Sequence, residues 1–140
     1  MSDPNIIYRF ILSSETSSSK LIKIEDFKDL QPFVDLFYIK DEYRILTNGK
    51  TQPFPNKETV VRFSTEFYDI DIEEACLKWI EYWNVYMKEI EYIKRNYDFQ
   101  LDLYCELLLD NRYPPIIFPK HFIDFLTKYQ VKFSIDLYSK

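Results

Sequence analysis

A two-layer α+β sandwich, with helices packed on one face of a mainly antiparallel sheet, is the fold this sequence predicts. Three observations lead there. Several segments alternate apolar and polar residues with period two, as strands with one wet face do. Two others carry one apolar stripe at helical spacing, each able to lie on the dry face of a sheet. Twelve Phe, twelve Tyr and two Trp in 140 residues supply a core large enough to dispense with disulfides.

Ile6–Leu12 opens the pattern, with Ile6, Tyr8, Phe10 and Leu12 on one face of a strand. The polar run Ser13-Ser14-Glu15-Thr16-Ser17-Ser18-Ser19 follows as a loop. Ile24, Phe27, Leu30 and Gln31 before Pro32 have the spacing of a short helix, and Phe33–Ile39 reads equally as strand or helix. Tyr43–Leu46 runs into Asn48-Gly49, a tight-turn signal. Thr59–Tyr68 is a strand with Val61, Phe63 and Phe67 on one side and Arg62, Ser64 and Glu66 on the other.

Asp71 is a good N-cap, and Glu74 three residues on completes a capping-box pattern. From Ile72 to Ile93 the positions Cys76, Trp79, Trp83, Met87 and Ile90 recur at steps of three and four, with Asn84 marking a bend. Over Asp98–Leu109 the residues Phe99, Leu101, Leu103, Cys105, Leu107 and Leu109 point inward. After Pro114-Pro115, Pro119 opens a helix whose stripe is Phe122, Phe125, Leu126 and Tyr129. A last strand sets Val131, Phe133, Ile135 and Leu137 inward and Lys132, Ser134, Asp136 and Tyr138 outward. No linker or repeat interrupts the pattern, so residues 1–140 read as one domain.

The run Ile116-Ile117-Phe118-Pro119, the short helix ending near Leu126 and the strand closing on Ile135-Asp136-Leu137-Tyr138 resemble a bacterial family termed domain of unknown function 4279. Tyr8–Leu12 and the Leu30-Gln31-Pro32 step are similar too. The resemblance implies a small bacterial α+β domain and brings no catalytic residues with it. In character, such short Lys-, Ile- and Tyr-rich chains also resemble the immunity proteins of toxin systems.

Composition narrows function by removing parts. One glycine leaves nothing from which to build a glycine-rich phosphate loop or dinucleotide fingerprint. One histidine, His121 near the start of a helix, leaves no pair for metal or acid–base work. Cys76 and Cys105 lack metal spacing and read as buried free thiols of a reducing compartment. The acids Asp69, Asp71, Glu73 and Glu74 fail as a calcium loop, because Glu74 stands at the turn glycine and Ile80 at the bidentate acid. They suit a helix start instead. The expectation is a protein that is not an enzyme and holds no cofactor or metal.

The longest uncharged stretch, Tyr113–Pro119, is far too short for a membrane span, and no signal peptide is visible. A cytoplasmic location follows as an expectation. The net charge of −5 argues against nucleic acid as a partner. It is concentrated: residues 64–110 hold twelve acids and four bases, against eleven acids and fourteen bases elsewhere. The natural partner of such a region is a basic protein.

The candidate contact surface is the wet side of two strands, with Asp102, Tyr104 and Glu106 on one and Asp136 and Tyr138 on the other. Paired, they form a patch of carboxylates and tyrosines suited to a basic partner, since tyrosine is enriched at interfaces and acids steer association. The bland alternative is a solvated sheet face. The expected function is that of an immunity protein neutralising a basic, nuclease-like toxin by direct binding. The alternatives are a scaffold or small-ligand-binding domain, and a carboxylate hydrolase built on Asp102, Glu106 or Asp136.

Overall fold

The computed structural model describes residues 4–109 and 116–139. Residues 1–3 and the Pro114-Pro115 step lie outside them. The elements run β1 (Ile6–Ser14), β2 (Val34–Tyr38), β3 (Thr59–Phe67), α1 (Ile72–Asn84), α2 (Met87–Tyr97), β4 (Gln100–Leu109), α3 (Lys120–Lys128) and β5 (Val131–Ser139). Short 3-10 helices at Ser17–Leu21 and Ile24–Phe33 join β1 to β2. The second of these takes the place of the short helix expected before Pro32, and it kinks at Lys28.

The five strands form one sheet in the order β2-β3-β1-β4-β5. All neighbours are antiparallel except β4 and β5, which run parallel and are joined across α3. A parallel pair needs such a crossover, because no tight turn can return a strand to the same direction. The fold is α+β, as the mixed periodicities predict.

Helices cover one face. Phe99, Leu103 and Val131, on which that arrangement depends, are all buried. The α1 stripe drives Trp79 and Trp83 into the sheet, where Trp79 meets Phe10 edge-on at 5.3 Å between ring centroids and Phe125 of α3 at 5.4 Å. Asp71 caps α1 through its carboxylate, which accepts from the Glu74 N–H at 2.8 Å. The bend expected at Asn84 is the break between α1 and α2. Pro119 sits at the N-cap of α3 in extended conformation, one position earlier than its usual first-turn place.

Two features depart from the sequence reading. Ile135 and Leu137 share the helix-side face of β5 but are 39% and 55% exposed, because the helical layer covers only the start of this strand. And with Gly49 alone among glycines, left-handed turns fall to other residues: Asp41, Asp69, Asp98, Lys28 and Gln130 all have positive φ. Aspartate tolerates this region better than most residues, its short side chain bonding locally.

Candidate functional site

The parallel register of β4 and β5 sets Asp102 beside Lys132, Tyr104 beside Ser134 and Glu106 beside Asp136. Strand pleating turns all of them to the face away from the helices. The five residues expected to form a patch are therefore brought together. Tyr104 and Tyr138 both donate their phenolic hydrogens to Asp136 Oδ2, the latter at 3.3 Å. The Asp136 carboxylate holds the Tyr104 proton in place and pushes that phenol well above its ordinary pKa. Burial raises the Asp102 carboxyl, with neighbouring Lys132 pulling the other way.

The face also holds cations. Arg9, outward on β1, places Nε 3.3 Å from Glu106 Oε1 and Nη1 3.3 Å from Ser64 Oγ. Arg62 of β3 pairs with Asp35 of β2 at 3.0 Å. The patch is thus of mixed charge, its least neutralised part being Asp136 with its two tyrosines. The acids of residues 64–110 are divided between layers: Glu73, Glu74 and Glu81 lie exposed on α1, behind the sheet from Asp102, Glu106 and Asp136. Arg9 was legible as an outward residue, but its partner depended on β1 and β4 being neighbours.

Around the expected Asn48-Gly49 turn, residues 39–58 form a pinned arm. Ile45 pairs with Thr51 across the Asn48-Gly49 turn, and Gly49 takes φ +81°. Asn56 is buried at its base, donating to the Ile39 carbonyl and accepting from Gln52 Nε2, each at 2.8 Å. The arm holds Tyr43, Ile45 and Phe54 in solvent, and Arg44 covers the Tyr38 ring at 4.5 Å. Clefts lined by described residues lie away from the sheet patch. One beside the arm, between Tyr38 and Phe54, measures about 290 Å³, and one between Ser13 and Asp98 about 390 Å³.

His121 is exposed on α3. Among the described residues no cluster of His, Cys, Asp and Glu is arranged to hold a metal ion, and no helix is long and apolar enough to cross a membrane. Cys76 and Cys105 both approach buried Tyr8, whose hydroxyl shares a hydrogen bond with Cys76 Sγ at 3.1 Å. Burial pushes the Cys76 thiol up to about 11 and raises Cys105 as well. Thiolate is the reactive form. In the native protein both cysteines should therefore resist a thiol reagent at neutral pH, and both should react once urea unfolds the chain. Rapid native labelling would contradict the buried placement.

Compared with known protein families, curated proteins and solved structures, the chain finds no match.

Proposed function

We propose that this chain is a protein-binding domain of the immunity type, which neutralises a basic, nuclease-like toxin by direct contact through the open sheet face. The observation that carries the reading is the Tyr104–Asp136–Tyr138 cluster. Two aromatic hydroxyls converge on one carboxylate on a face that the helices leave open. Tyrosines ordered in this way offer rigid amphipathic contact area at small entropic cost, and the surrounding acids speed encounter with a basic partner. A carboxylate next to ordered hydroxyls is also a fair mimic of phosphate oxygens at a nuclease centre.

The hydrolase reading has less support. Glu106 is paired with Arg9 and Asp136 accepts from two tyrosines. Glu106 and Asp136 do stand side by side on neighbouring strands, but those are the two carboxylates already engaged. Asp102 lies about 13 Å from Glu106 along β4, whereas carboxylate pairs that cleave glycosides stand about 5–9.5 Å apart.

The test is co-purification with the product of the adjacent gene, and inhibition of that product's toxicity. Association should be faster at low salt. Asp102→Lys should slow it, and Tyr104→Ala should weaken the complex about thirtyfold, the scale of a central aromatic anchor. No complex with any toxic neighbour would overturn the function. A complex indifferent to both substitutions would overturn the proposed surface.

A further inference from the structure

The two edges of the sheet are β2 and β5, and they are treated very differently. An exposed edge offers unpaired N–H and C=O groups to any other strand, and folds blunt it with short strands, proline, bulges or covering loops. β2 has such devices. It is five residues long, it follows Pro32, and its pairing slips between Val34 and Leu36. β5 is less protected: it is nine residues long, lacks proline, carries one lysine, Lys132, and among the described residues pairs with β4 alone. Its helix-side residues Ile135 and Leu137 are the exposed apolar pair noted above.

We propose that two copies of this chain pair edge to edge through β5, antiparallel, with Ser134 on the twofold axis. In that register Lys132 of each copy lies opposite Asp136 of the other, on the wet face. On the helix side Phe133 meets Ile135 and Val131 meets Leu137, covering the exposed apolar pair. The charges select the register. Centring one residue earlier sets Lys132 against Ser134, and one later sets it against Tyr138, each leaving the lysine without an acid. Lys132 lies beside Asp102 on β4 and acts on its carboxyl, but it closes no ion pair among the described residues and can turn to the second copy. Opposite charges directly across two antiparallel strands stabilise the pairing, and like charges there oppose it. The assembly closes as a dimer, because the contact is isologous and the blunted β2 edge stops further addition. A ten-stranded sheet results, with both helical layers on one side.

This contact shares Asp136 with the proposed toxin-binding cluster, but it is read without any partner protein. Sedimentation of the purified chain should show a dimer. Lys132→Glu sets acid against acid at both crossings, and Asp136→Lys sets base against base. Each variant alone should associate about tenfold to a hundredfold more weakly and sediment as a monomer. Mixed in equal amounts, the two variants restore opposite charges at both crossings and should form a one-to-one dimer. Leu137→Asp, at a half-exposed position that costs the monomer little, should also abolish dimers, and circular dichroism checks that each variant is folded. A monomeric wild type, a dimer that survives both single reversals, or variants that fail to pair on mixing would each overturn the proposal.

Discussion

Trp79→Ala is expected to destabilise the fold by about 3–5 kcal/mol, the scale of emptying a buried aromatic site. That is a large share of the roughly 5–15 kcal/mol that holds a domain of this size together. Trp79 is fully buried where the two layers meet, and its indole contacts Tyr8, Phe10, Trp83, Phe122 and Phe125 at centroid distances of 5.3 to 6.1 Å. These rings belong to β1, α1 and α3, so the void opens at a junction of three elements and cannot be filled by a shift of one. Trp79→Phe should cost much less. It keeps most of the apolar volume and removes an indole N–H that is buried with no acceptor among the described residues. Urea titration of the three proteins measures the differences. A loss below about 1 kcal/mol for the alanine variant would mean that the core relaxes around the site.

Asn56→Ala is the second large effect, and it should be local. The side chain is 7% exposed and serves both sides of the arm, donating to the Ile39 carbonyl and accepting from Gln52. Alanine leaves that carbonyl and that amide without their partner at a cost of about 1–3 kcal/mol. The main-chain bonds Asn56 N–H to Glu42 O and Asp41 N–H to Asn56 O remain, each 2.8 Å, so the arm should loosen without detaching. Trypsin reads this directly, since Lys40, Arg44, Lys50 and Lys57 all lie in the segment. The expected result is rapid cutting there while β1, β3 and β4 stay protected. Equal resistance in the variant would show that the main-chain bonds alone hold the arm.

Much of the layering was legible because it depends on periodicity. The β1 alternation, the Trp79–Trp83 stripe and the β4 alternation each needed only local spacing to orient a side chain. The Asp71 cap and the Asn48-Gly49 turn were legible for the same reason, since their chemistry is settled within a few residues. What required long-range partners was hidden. Nothing near Arg9 announces Glu106, which lies 97 positions away and meets it only because β1 and β4 are neighbours. Of the arm only the Asn48-Gly49 turn was legible, because the rest of its order comes from one asparagine bonding at distances of 4 and 17 residues. Five left-handed residues other than glycine were equally invisible, for the usual glycine signal was missing.

The candidate patch was half legible. Outward positions on β4 and β5 follow from alternation, so Asp102, Tyr104, Glu106, Asp136 and Tyr138 could be assigned to one face on the single assumption that the strands pair. That the pairing is parallel, and therefore sets Glu106 beside Asp136, was not readable from either strand.

The strand order has a consequence for how this molecule comes to be folded. β1 is the middle strand, yet it precedes every other in the chain, and its partners β3 and β4 begin about 50 and 90 positions later. During synthesis an apolar face bearing Ile6, Tyr8, Phe10 and Leu12 must wait until most of the domain has been made. Contacts this distant in sequence cost loop-closure entropy before they return any stabilisation, and they make folding slow. The nascent chain therefore carries an unpaired central strand with an apolar face through a long window, which is when association with the wrong strand is most dangerous. That exposure ends only when β4 docks beside β1.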